Sequence, residues 1–120
     1  MIERERRQYS RISCELESSF TELNEGPPLS PSFAVVKDIS RGGLRLRVDH
    51  FVAIPNRLQC HLVLPGHQEI QVLVEPTWAV ELPRLDRYEI GVRFVSPSSE
   101  VQETIRDFEY ETLLNEGIID

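Results

Sequence analysis

Two short runs of this chain concentrate side chains able to hold an anion or a planar base. In Arg6-Arg7-Gln8-Tyr9-Ser10-Arg11, two adjacent arginines precede a third, and Arg4 lies just ahead of them. Four of the 13 lysines and arginines thus crowd into the first 11 residues of a chain whose formal net charge is −7. That concentration predicts a specific anion site, although Glu3 and Glu5 offset part of its field. A guanidinium is a planar fork that donates two parallel hydrogen bonds to a phosphate or to the O6/N7 edge of guanine, and its flat face stacks on a purine. The second run is Asp38-Ile39-Ser40-Arg41-Gly42-Gly43. A carboxylate such as Asp38 accepts from the N1–H and N2–H edge of guanine, and Ser40 can serve a base edge or a phosphate. Gly43 has no Cβ, so it can take a positive φ in a turn and let a flat ligand approach closely. Asp and Ser also favour turns by bonding nearby backbone groups, and both readings can hold together.

Other chemistry-bearing residues lack such spacing. His50, His61 and His67 do not stand at metal-ligand intervals and read as surface or loop residues. Cys14 and Cys60 lie outside any CxxC pattern at alternating apolar positions, which predicts reduced core cysteines rather than a disulfide or a zinc site. Trp78 reads as core. The chain holds no Gly-rich phosphate loop, nucleophile elbow or HExxH, and its carboxylates fall on strand faces or in a helix without an evident paired geometry. The expectation is a binding protein, not an enzyme, with neither cofactor nor metal. The acidic balance argues against general nucleic-acid binding, and an arginine arm reading a DNA minor groove conflicts with the acidic remainder. No stretch approaches the roughly 18 to 20 consecutive apolar residues of a membrane span, and Met1–Arg11 is charged rather than apolar. A cytoplasmic protein without membrane insertion is expected.

The elements that must position these residues follow from periodicity. At 120 residues and 40% hydrophobic, the chain has the size of one domain with one core. From Ile12, apolar Cys14, Leu16 and Phe20 alternate with Ser13, Glu15, Glu17 and Ser19, the period-two pattern of a half-buried strand. Asn24–Ser32, with three prolines and a glycine, reads as a loop. Phe33–Ile39 and Leu44–Val48 form a hairpin about the glycine turn. Leu58–Leu64 and Ile70–Val74 form another about Pro65-Gly66. Pro76 predicts a bulge or an edge, with Thr77–Glu81 continuing. Tyr88–Phe94 is the last strand. The period then changes: Ser96 reads as an N-cap and Pro97 as the first helical position, with Val101, Ile105, Phe108 and Thr112 on one face and an end near Gly117. The fold class is mainly β, a six- to seven-stranded antiparallel barrel with a C-terminal α-helix packed on it. The parts are a flexible Arg-rich arm at 1–11, the barrel at 12–96 and the helix at 97–117.

Arg7 and Arg11 form an RxxxR, and Asp38, Ser40 and Gly43 form a DxSxxG, in the order and spacing of the two signature motifs of the PilZ family. Tyr88–Phe94, with Gly91 and Phe94 as Gly-x-x-Phe, is similar to that family's late strand. The resemblance runs over roughly residues 4–112. It implies a split-barrel receptor for the second messenger cyclic di-GMP, in which Arg7 and Arg11 contact guanine and phosphate and Asp38, Ser40 and Gly43 complete the site. The residue before RxxxR is associated in the family with stoichiometry. Here it is Arg6, which implies two intercalated ligands per chain. The implied mechanism is closure of the arginine arm on the rigid hairpin, relayed to an unidentified downstream protein in motility, exopolysaccharide or biofilm control, by a monomer or a dimer. The alternative is a PilZ-like interaction module that binds no nucleotide; such members typically lack one or both motifs.

Overall fold

The computed structural model describes residues 11–23, 30–54 and 56–117. Six strands, β1 (Ile12–Glu22), β2 (Ser32–Ile39), β3 (Gly43–Val48), β4 (Leu58–Leu62), β5 (Ile70–Leu82) and β6 (Arg87–Phe94), precede one helix, α1 (Ser99–Asn115). All neighbouring strands are antiparallel, and in the order β1-β2-β3-β6-β5-β4 they close into a barrel. The fold class read from the sequence is thus the observed one, with six strands. No helix among the described residues is long and apolar enough to cross a membrane.

The barrel closes because each strand offers one apolar face. Phe20, Val36, Leu46, Cys60, Val74 and Ile90 point inward and are almost fully buried, while the residues between them face out. Two irregularities break this alternation where it matters. In β2 the register with β3 shifts between Val36 and Asp38, so Lys37 is an extra residue. In β5 the register with β6 shifts between Pro76 and Trp78, so Thr77 is extra. A bulge inverts the phase of everything beyond it. Ala34 and Val36 face the core, and strict alternation would send Asp38 after them; the bulge turns Asp38 outward and brings Ile39 in. In the same way Val72, Val74 and Pro76 are buried, yet Trp78 lies outside, 42% exposed. The bulge expected at Pro76 is therefore present. It overturns the core reading of Trp78, which took the alternation to run on through the proline.

The helix begins two residues later than Ser96-Pro97 predicts. Ser98 is the N-cap, its hydroxyl accepting from the Val101 N–H at 3.2 Å, and Glu100 places negative charge in the first turn. Ser96 instead takes φ 46° and redirects the chain out of β6. Val101, Ile105 and Phe108 join the core as expected, but the next buried place belongs to Glu109, and Thr112 is only partly covered. Glu109 is tolerated because Arg41, in the turn after β2, donates to its Oε1 at 3.0 Å. Beyond the C-cap Glu116, Gly117 takes φ 75°, as a C-terminal glycine should.

Candidate functional site

The two bulges bring residues of five strands into one row. Asp38 on β2 stands opposite Ser13 on β1 and Arg45 on β3; Arg45 faces Gly91 on β6, and Gly91 faces Trp78 on β5. A cavity of about 210 Å³ opens over this row, lined by Arg11, Asp38, Ser40, Gly43, Arg45 and Trp78 among others. Chain positions from 11 to 92 thus meet at one place. The volume lies below the roughly 300–1,000 Å³ of a cavity that engulfs a drug-sized ligand, so this one can seat a single flat group and leave the rest of a larger molecule outside.

The turn between β2 and β3 is held by Ser40. Its N–H donates to the Gly43 carbonyl at 2.9 Å, and its Oγ accepts from the N–H groups of Gly42 and Gly43 at 3.2 and 3.3 Å. The turn chemistry weighed for Ser40 is therefore real, and it fixes the cavity's rim. Gly43 serves differently from expectation. Gly66 and Gly117 take positive φ, but Gly43 does not; it opens β3, and a Cβ there would stand 2.0 Å from the Val92 carbonyl oxygen. Its need for glycine is close approach of two backbones, not a left-handed turn. Gly91 has a parallel reason, since a Cβ there would meet Trp78 Nε1 at 2.1 Å. The indole lies over the space Gly91 leaves.

Charge is tightly paired beside the cavity. Arg45 Nε donates to Asp38 Oδ2 at 2.8 Å and its Nη1 to Glu89 Oε1 at 3.0 Å, while Arg47 Nη2 donates to Glu89 Oε2 at 3.1 Å. The hydrogen bond to Asp38, with that to Glu89, raises the Arg45 pKa against a smaller opposing effect of burial, so Arg45 stays charged. Burial pushes Glu89 upward, but the hydrogen bonds from Arg47 and Arg45 outweigh it and hold its carboxyl below the usual range. On the barrel side, Cys14 is pushed up to about 11 by burial and by the Asp38 charge, and Cys60 to about 12 by burial. Both cysteines are free thiols without thiolate reactivity at neutral pH.

Of the residues singled out from sequence, Arg11, Asp38, Ser40 and Gly43 converge on the cavity; Arg6 and Arg7 lie outside the described residues. Sequence reading missed Arg45 and gave Trp78 to the core. Arg45 carried no signal of its own, since its outward position on the strand after the motif is equally that of a solvated arginine. Trp78 could have been recovered by carrying the bulge at Pro76 through to its effect on phase. Among the described residues no group of three or more His, Cys, Asp or Glu could hold a metal ion.

The family and the fold have counterparts among known proteins. A sequence model of the PilZ domain matches residues 5–111. No curated protein sequence matches significantly. Among solved structures, the Bacillus subtilis inhibitor of motility MotI/DgrA is similar with a TM-score of 0.74 at 16% identity, over 91% of this chain and 52% of that one. The PilZ domain of YcgR from Escherichia coli, solved with c-di-GMP, is similar with a TM-score of 0.63 at 16% identity, over 95% of this chain and 99% of that one. The MrkH–c-di-GMP complex of K. pneumonia gives 0.73 at 19% identity, over 92% and 54%. The chain spans about half the length of MotI/DgrA and MrkH, and at these identities the likeness is one of fold.

Proposed function

The chain belongs to the PilZ domain family, and from that premise we propose that it is a receptor for cyclic di-GMP that acts by binding rather than by catalysis. The observation that carries this reading is the convergence of Arg11 with Asp38, Ser40 and Gly43 on one cavity floored beside an exposed indole. The chemistry of that cavity suits one guanine: Trp78 offers a stacking face, Asp38 an acceptor for the base's N–H edge, and Arg11 a cation for a phosphate or for O6/N7. YcgR and MrkH, solved with c-di-GMP, share this fold.

Arg7 is proposed as the second principal contact and Arg6 as the group that favours two intercalated ligands, because four phosphates brought together call for a further guanidinium. The arm bearing them closes over the hairpin on binding and changes the surface offered to a downstream protein in the cytoplasm. The regulated process is motility, exopolysaccharide or biofilm control. Titration calorimetry with cyclic di-GMP tests the reading. The expected result is two ligands per chain and binding weakened at least tenfold (~1.4 kcal/mol) in Arg7→Ala and in Asp38→Ala. Undiminished binding in Arg7→Ala overturns the site assignment, one ligand per chain overturns the stoichiometry, and no binding by the unaltered chain leaves an interaction module that works without nucleotide.

A further inference from the structure

Arg45 belongs to neither signature motif, yet it stands at the centre of the cavity's row of residues. It is clamped from both sides, by Asp38 Oδ2 at 2.8 Å and Glu89 Oε1 at 3.0 Å, so its guanidinium has a fixed orientation beside the Asp38 carboxylate. A guanidinium has five N–H donors, and these two bonds leave donors to spare. A carboxylate has about four acceptor positions, and Arg45 takes one of Asp38's. The pair therefore presents, side by side, an N–H donor and two carboxylate oxygens. Trp78 lines the same cavity as this pair, so a base seated there meets both the indole and their polar edge.

That sequence of donor, acceptor, acceptor is the complement of guanine's Watson–Crick edge, which offers O6 as acceptor and N1–H and N2–H as donors. Cytosine presents the same order with one amine and two acceptors. Adenine fails at both places: its N6 amine would bring a donor against Arg45, and its unprotonated N1 would bring a lone pair against the carboxylate. A buried site built to pair one set of groups rejects a base that leaves them unpaired more strongly than it gains from the right one.

We propose that Arg45 is a specificity-determining residue of this site, which donates to O6 of the seated guanine and, together with Asp38, excludes adenine. The inference rests on the receptor reading above. Arg45 also orients Asp38, so removing it loosens both halves of the complement.

The test measures binding of cyclic di-GMP and of cyclic di-AMP, which has no guanine to seat, to the full chain, to Arg45→Gln and to Arg45→Lys. The unaltered chain should prefer cyclic di-GMP. Glutamine can turn either its N–H or its carbonyl to the base, so Arg45→Gln should narrow the preference roughly tenfold. Lysine can only donate, so Arg45→Lys should keep the preference while binding both ligands more weakly. Should Arg45→Gln misfold, Arg45→Met, which has the length but no donor, gives the same reading by a narrowed preference. Equal loss of both ligands in every variant, or none, overturns the inference and leaves the receptor reading standing. Failure of the unaltered chain to bind cyclic di-GMP overturns both.

Discussion

At the residue scale, the two glycines of the site differ in what an added methyl group would strike. At Gly43 the obstacle is backbone, the Val92 carbonyl oxygen at 2.0 Å, and a paired strand cannot step aside. Gly43→Ala should therefore destabilise the fold by about 1–3 kcal/mol, read as a lowered urea midpoint, in keeping with the usual cost of overpacking. At Gly91 the obstacle is the Trp78 indole, half-exposed and able to swing outward. Gly91→Ala should leave the urea midpoint nearly unchanged but displace the stacking face, and Trp78→Ala should remove it. Both should weaken cyclic di-GMP binding, Trp78→Ala by about 1–3 kcal/mol, the usual worth of a base stacked on an aromatic ring. Intact binding in Trp78→Ala would show that the indole is not the platform. Ser40 sits between these cases, since its hydroxyl already closes the turn, and a ligand contact would have to share an oxygen engaged with Gly42 and Gly43.

At the scale of elements, periodicity made most of this fold legible and bulges hid the rest. Alternation located all six strands to within a few residues, because each strand of a closed barrel must bury every second side chain. The Asp-x-Ser-x-x-Gly turn and the arginine run were legible because their residue types have few other reasons to stand together. The same alternation misplaced Trp78, since one extra residue at Thr77 moves the indole from core to site. Arg45 was invisible for another reason: an outward arginine on a strand looks the same whether it is solvated or clamped between carboxylates from β2 and β6. The helix start was missed because Ser96 and Ser98 are both good caps, and the choice between them depends on how the chain leaves β6. That choice is testable. Ser98→Ala should cost about 1 kcal/mol, seen as a lower melting temperature, whereas Ser96→Ala should not carry that loss of a cap. Equal effects of the two would contradict the cap assignment.

For the whole molecule, the ion pairs around the barrel share a sign in their response to acid. Glu89, paired with Arg47 and Arg45, has a folded pKa below its unfolded value. Its contribution is therefore present above the unfolded pKa of about 4.3 and is lost as pH falls through the depressed folded value. Glu75, bonded to Arg93, and Glu15, bonded to Lys37, shift the same way at exposed sites where solvent screens them. Urea midpoints should be level near neutrality and drop below about pH 4, and Glu89→Gln should flatten part of that drop; an unchanged acid profile in this variant would count against the pairing of Glu89 with Arg45 and Arg47. The unequal lengths of the strands have a further consequence. β4 is short: it pairs with β1 only over residues 18–22 and with β5 only over residues 70–74, so among the described residues β1 keeps one unpaired edge over 12–17 and β5 one over 75–82. Those two stretches are the places where a partner, or another copy of the barrel, can add a strand without first tearing a ladder apart. Ser13 and Trp78, the two ends of the site's row, lie on those open stretches, so the site borders the one part of the barrel wall that is not stitched shut and can pass its message through backbone as well as side chains.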